Sequence, residues 1–409
     1  MMKIIRIIAR LNVGGPARHV VWLTQDLQDD EFDSLLVAGR VPPGEKDMSY
    51  VADASGVQPV YIEEMSRELS LADAVSLIKV FRLLLREKPD IVHTHTAKAG
   101  TVGRSAAFLY RWLTPGALIG RPRRLAVVHT FHGHVFHSYY STAKTSLFIM
   151  IEKLLARFVT DKIIVIADQQ FEEIHQQVGI GKAEQFELVP LGIDLEPFAQ
   201  PELRRGAFRE ACGVGANAVI IGLVGRLTEI KNIRLYLAVA QHFAATTPPD
   251  IPPLHFVIAG DGHLRAVLEA DAADLDNITF LGNRKDIETI YAGLDIVALT
   301  SSNEGTPLSL IEGMASRRPV ISTAVGGVVD LLGRQVEEHS GFSVCERGIA
   351  VDPGNADAFV KGLIYLVKNE RLRGELSNNG YDFVLKNYDK GRLANDLRQV
   401  YRGLSRGGD

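Results

Sequence analysis

Ten short β-branched runs alternate with helical patterns along the 409 residues, and that alternation leaves few folds open. In the first half the runs are 3–9, 34–39, 90–95, 124–130 and 161–167. In the second they are 218–225, 254–260, 278–282, 295–301 and 319–324. Each run is followed by a glycine or polar turn, then by stretches such as 71–88 with apolar residues at three- and four-residue spacing. Strand alternating with helix implies parallel sheets covered on both faces. The ten runs divide five and five around "VPLGIDLEPFAQPE" (189–202), where Pro, Gly and charged residues interrupt the pattern. The fold class is therefore α/β, with two doubly wound, Rossmann-like parallel-sheet domains, 1–196 and 197–385. The remaining segment, 386–409, holds a helical pattern with no strand after it.

Composition narrows the function classes. A net charge of −4 disfavours nucleic acid as a partner of the whole chain. Two cysteines, Cys212 and Cys345, make no disulfide framework and fit a reducing cytosol. The opening "MMKIIRIIARLNVGG" is too interrupted for a signal peptide and reads as a first strand. No run reaches the roughly 18–20 apolar residues of a membrane span. The expectation is a cytoplasmic protein, soluble or peripheral on the inner face of the membrane.

Doubly wound sheets bind ligands at the carboxyl ends of their strands, and two such domains place the default site in the cleft between them. The unusual residues follow strands. After the first comes "LNVGGPARH", where Gly14 and Gly15 permit a sharp turn and close approach to a ligand, with His19 one turn on. A purely structural turn fits that motif equally well. After the sixth comes "GLVGRLTEIKN"; Arg226 and Lys231 supply a fork and a point charge suited to a diphosphate, against the alternative of two solvated charges. The tight turn of "VIAGDGHLR" follows the next strand, either approaching a nucleotide or merely closing a loop.

In "SSNEGTPLSLIEGM" two glutamates stand eight positions apart. Gly305 and Pro307 place Glu304 before a helix and Glu312 inside it. Thr306, Leu308 and Ser309 then offer free amides at the helix start, a cradle for a diphosphate. Glu312 is placed to accept hydrogen bonds from a ribose diol, and Glu304 to meet the reacting sugar. The alternative for Glu304 is a simple helix-dipole charge.

Histidines 129, 132, 134 and 137 cluster in "VHTFHGHVFHSYY" at spacings that fit no common zinc site, so no metal is expected. His95 or Thr96 of "HTHTAKAG" faces a ligand or fills a core role. Between Lys98 and Arg157 there are nine Lys/Arg and one acid, Glu152, interleaved with aromatics. That suits an anionic membrane surface, or equally a solvated basic face.

Taken together, "GGPARH", "HTFHGH", "P-x-G-I-D", "GR-x4-KN", "GDG" and "E-x7-E" followed by "PVISTAVGG" resemble the retaining glycosyltransferases of family 4, with the two-domain GT-B fold. The resemblance covers nearly the whole chain. It implies a nucleotide-sugar donor on the second domain and an acceptor on the first. Arg226 and Lys231 would hold the donor diphosphate and Glu312 its ribose. Glu304 would lie against the transferred sugar, with His132 close to it and Gly15 near the phosphates. The terminal helix would cross back to the first domain. Two departures stand out: Thr306-Pro307 where many members have Phe-Gly, and Leu191 where Asn is usual. "HTHTAKAG" with "HTFHGH" looks like members that build cell-surface polysaccharides on lipid carriers.

The expected reaction is transfer of a sugar from a nucleoside diphosphate, UDP by preference, to a hydroxyl of a glycan or lipid-linked acceptor with retained configuration. Catalytic roles fall to Glu304, His132, Arg226 and Lys231, and acceptor contacts to His19 and His95. No cofactor is expected, and the leaving diphosphate would be stabilised without a metal. No nucleophile stands beneath the sugar, which favours same-face attack. The alternative is a nucleotide-sugar epimerase or hydrolase on the same fold.

Overall fold

The computed structural model describes residues 1–12, 15–41, 47–65, 72–132, 142–215, 217–246 and 248–406. Gly14, His134 and His137 lie outside the described residues. The chain forms two compact units, Met1–Ile193 with Lys390–Asp409, and Asp194–Asp389. The boundaries thus stand at 193/194 and 389/390 rather than at 196/197 and 385/386.

The first unit holds seven strands: β1 (Met2–Ile8), β2 (Phe32–Ala38), β3 (Val60–Tyr61), β4 (Ile91–His95), β5 (Ala126–Thr130), β6 (Lys162–Val165) and β7 (Phe186–Leu188). They pair in the order β3-β2-β1-β4-β5-β6-β7, all parallel. The strand order reverses between β1 and β4, whose carboxyl ends carry Gly15 and His95. Such a switch point opens a crevice.

Alternation along β1 decides what covers each face. Ile5 and Ile7 pack with Val80, Leu83, Val102 and Ala106, from the helices Ala72–Glu87 and Ala97–Trp112. Ile4, on the other face, packs in one cluster with Leu23 and with Leu393, Leu397 and Tyr401 of the helix Lys390–Arg406. Those last three residues recur every four positions, so one stripe of the returning helix is buried. This stripe makes the C-terminal segment part of the first unit's core.

The second unit has β8 (Val219–Val224), β9 (Leu254–Ala259), β10 (Ile278–Gly282), β11 (Ile296–Leu299), β12 (Val320–Thr323), β13 (Gln335–His339), β14 (Phe342–Cys345) and β15 (Gly348–Val351). Their order is β10-β9-β8-β11-β12-β15-β14-β13, with the switch point between β8 and β11. All ten expected strands are present. The sheet is not wholly parallel, however: β14 pairs antiparallel with both β15 and β13. This edge hairpin escaped the sequence pattern because β13, "QVEEH", is mostly exposed and carries no apolar alternation.

Candidate functional site in each unit

In the second unit every residue singled out for donor binding sits at the carboxyl edge of the sheet. Gly225 and Arg226 follow β8, and Glu304 follows β11, so they flank the switch point. Lys231 ends a short 3-10 turn and lays its stem over Gly225, where an added Cβ would stand 3.6 Å from Cε. Its ammonium forms an ion pair with Oε1 of Glu304. Ser301 donates to the same carboxylate oxygen at 2.5 Å. A cation and a hydroxyl thus hold Glu304 in one orientation in a largely dry setting. Arg226 is exposed, and among the described residues its guanidinium has no hydrogen-bond or ion-pair partner. A free fork at a strand end is available to an anion.

The helix after β11 runs Leu308–Ala315, with Pro307 capping it from an extended conformation rather than entering its first turn. Leu308 and Ser309 therefore present amides that no helical carbonyl can accept. The hydroxyl of Ser309 is also buried without a partner among the described residues. Glu312, a turn further in, accepts from the Tyr291 hydroxyl at 2.8 Å. Burial and that carboxylate together drive the phenol well above its ordinary pKa, so it stays a donor. Tyr291 and Ser301 were not singled out in the sequence, and Ser309 was singled out only for its amide. Tyr291 lies 21 positions from its partner and reads as ordinary core, while Ser301 reads as a polar strand end.

The glycines of "GDG" and "AVGG" have a structural purpose. A Cβ on Gly260 would stand 1.8 Å from the Gly225 carbonyl, and one on Gly262 2.3 Å from the Leu227 carbonyl. Likewise a Cβ on Gly326 would stand 2.0 Å from the Glu304 carbonyl. The loops therefore pack backbone to backbone, and this fixes the segments carrying Arg226 and Glu304.

The first unit assembles something the sequence only hinted at. His19, His95 and His132 come from the first helix, from the end of β4 and from just after β5. Their ligating nitrogens all lie within 4.8 Å of one another. Nδ1 of His95 and Nε2 of His132 share a hydrogen bond at 2.9 Å, with the rings stacked 30° apart. His19 meets His132 edge-on at 4.8 Å between centroids. Nδ1 of His19, Nε2 of His95 and Nδ1 of His132 are buried without partners among the described residues. That donor set is one a metal ion accepts, and it draws on His19 and His95, which the spacing within 129–137 does not include. However, the two nitrogens that face each other in the His95–His132 pair are already joined by a hydrogen bond.

Burial pushes His132 down to about 4, and takes His19, His93, His95 and His129 well below the ordinary imidazole value. The cluster is neutral at physiological pH. Beneath it lies Arg6, fully buried in β1. Arg6 donates to Ser34 Oγ at 2.8 Å and to the Tyr401 hydroxyl at 3.3 Å. That leaves the phenolic proton for Nδ1 of His93, 2.6 Å away, so Nε2–H of His93 donates to Thr130 Oγ1 at 2.7 Å. The His93 ring then lies 4.1 Å from that of His95. Thr96, next in the chain, holds φ at 71°, a costly value for a β-branched residue, with its hydroxyl buried and unpartnered.

A cavity of about 760 Å³ opens at the opposite edge of the first sheet, beside Asp90, Arg124 and Asp161. It contains none of the residues above.

Both units match known proteins. A family profile described as glycosyl transferases group 1 matches residues 206–383, and one described as glycosyltransferase family 4 matches residues 13–197. The chain is 28% identical over 383 residues to a UDP-Gal:alpha-D-GlcNAc-diphosphoundecaprenol alpha-1,3-galactosyltransferase of Escherichia coli, covering 92% of this chain and 90% of that protein. It is 30% identical over 408 residues to the uncharacterized glycosyltransferase MJ1607 of Methanocaldococcus jannaschii, covering 95% and 94%. Among solved structures, Anabaena Alr3699/HepE in complex with UDP superposes with a TM-score of 0.75 at 19% identity, over 98% of this chain and 100% of that one. At that identity the likeness speaks for the GT-B fold.

Proposed function

This chain belongs to glycosyltransferase family 4, and on that premise we propose that it transfers a sugar from a UDP-sugar to a hydroxyl of a lipid-linked glycan, with retention and without a metal. The observation that carries the reading is the set of groups at the β8/β11 switch point: an unpartnered Arg226, Lys231, and helix amides at Leu308 and Ser309. These are preorganised positive partners for a departing diphosphate, so the charge that develops is met by the protein itself. Glu312 takes the ribose hydroxyls and Thr306 lines the approach to the sugar. Glu304, tied to Lys231 and Ser301, orients the sugar rather than attacking it. This favours same-face attack, with the departing phosphate accepting the acceptor's proton. In the first unit Gly15 offers an anion a close backbone approach, and the neutral His132, His95 and His19 offer hydrogen bonds suited to sugar or acceptor hydroxyls. The E. coli relative, whose name specifies a diphosphoundecaprenol acceptor, supports the lipid-linked class.

Replacing Arg226 or Lys231 by Ala should lower turnover about 10²–10³-fold. It should be measured as UDP release that depends on acceptor, with EDTA present. Near wild-type transfer by both variants would reject the assignment. Loss of wild-type activity in EDTA would reject metal independence.

A further inference from the structure

The helix Thr142–Phe158 presents to solvent a face that is wrong for a water-facing helix. Leu147, Met150, Leu154 and Phe158 are all exposed, Phe158 by 58%. At about 100° per residue they fall within roughly 80° of arc. Lys153 and Arg157 are exposed beside them. The helix's one acid, Glu152, points inward, where both its oxygens accept from Nη2 of the buried Arg104 at 2.6 Å. Outward, among its described side chains, the helix shows these apolar and basic groups and Ser146, with no exposed acid.

The surface continues at the foot of the neighbouring helix, Ala97–Trp112. The two helix ends are tied by Arg111, which donates to Asp161 at 2.6 Å. Phe108 and Trp112 are exposed with rings 6.5 Å apart, and in the turn beyond them Leu118 and Ile119 are 90% and 73% exposed. Nine of the 22 exposed large apolar side chains among the described residues fall between Phe108 and Phe158. That is a concentration, not the single scatter normal for a soluble surface. Arg121 and Arg124 are exposed at its border. Like Lys153 and Arg157, they have no carboxylate partner among the described residues.

We propose that this face seats the first unit on an anionic lipid bilayer. The apolar stripe enters the headgroup–acyl boundary while Lys153, Arg157, Arg121 and Arg124 meet lipid phosphates. Charge decides for lipid over a protein partner, because unpaired cations flank the stripe and the segment's one acid, Glu152, is turned inward. No helix of the described residues is long and apolar enough to cross a membrane, so the contact is interfacial. The purpose rests on the lipid-linked acceptor proposed above, but the surface itself stands on exposure and charge alone.

The test is co-sedimentation of the full chain with phosphatidylcholine vesicles, with and without phosphatidylglycerol, and with no acceptor added. Binding should require the anionic lipid and weaken at least about tenfold in Leu147→Gln/Met150→Gln/Leu154→Gln. It should weaken similarly in Arg121→Glu/Arg124→Glu/Arg157→Glu. Both variants should retain the wild-type circular dichroism and turnover on a water-soluble acceptor. If wild-type turnover on that acceptor is itself absent, the transferase reading fails while the vesicle result still judges the surface. Equal vesicle binding by wild type and both variants overturns the proposal. So does loss in the charge variant alone, which would mean simple electrostatic adsorption. Dissociation of a solution dimer by the apolar variant, with no vesicle binding by wild type, also overturns it.

Discussion

Lys231 and Glu304 are placed by different strands and meet as an ion pair, whereas Glu312 faces a phenol instead. The two glutamates of one short motif therefore have separate tasks, and kinetics should separate them. Glu304→Gln keeps the hydrogen bond from Ser301 but releases Lys231. Its kcat should fall about 10²-fold with little change in donor KM. Glu312→Gln should mainly raise the donor KM, by about tenfold. The reverse split would exchange their roles. The histidines give a pH prediction with a definite sign. Imidazoles whose folded pKa lies below the unfolded value near 6.5 bind more protons unfolded than folded as pH falls. Their contribution is complete above about 6.5 and is lost on acidification toward 4, where His132 itself titrates. The first unit's thermal midpoint should drop by several degrees between pH 7 and pH 5. A Gln at His129, which lies behind the cluster with Nδ1 on the Thr94 hydroxyl at 2.8 Å, should reduce that drop. A flat profile would mean the imidazoles are hydrated.

At the scale of elements, the sequence motifs mark turns as much as ligands. Gly326 holds φ at +49° with its Cα against the Glu304 carbonyl, and Gly327 donates its amide to that carbonyl at 3.1 Å. Alanine at 326 would strain the backbone and push the Glu304 loop. Gly326→Ala should therefore cost on the order of 1–3 kcal/mol in urea unfolding and lower turnover by more than that loss explains. Turnover unchanged in a folded variant would detach the β12 loop from the site. The same logic holds for Gly100 and Gly103, which let the helix Ala97–Trp112 press onto the first sheet. There a Cβ would stand 2.5 Å from His129 and 2.6 Å from Thr94 respectively. "HTHTAKAG" is thus partly a packing signal, which period-based reading does not distinguish from a binding one.

For the whole molecule, the returning C-terminal helix matters most. Its Leu393, Leu397 and Tyr401 complete the core over Ile4, Leu23 and Phe32, and the Tyr401 hydroxyl sets the tautomer of His93. Removing residues 390–409 should expose this core and leave the first unit aggregation-prone, with lost amide-exchange protection in β1 and β4. Tyr401→Phe is the gentler probe. It should keep the fold but shift the acid limb of the pH–rate profile, because Arg6 and His93 lose their shared partner. An unmoved profile would reduce the network to packing.

The sequence by itself determined the ten principal strands, the two-unit α/β architecture and the placement of Arg226, Lys231, Glu304 and Glu312 after strands. Strand runs buried on both faces and glycine-rich turns are local properties, readable residue by residue. Tertiary structure alone decided which polar groups share one space. Arg6, His93 and Tyr401 are separated by up to 395 positions and meet only because β1 and β4 pair beneath the last helix. His19, His95 and His132 converge for the same reason, since a parallel sheet brings the carboxyl ends of distant strands to one edge. No spacing along the chain encodes that distance, which is set by strand order and by the burial that keeps those imidazoles neutral.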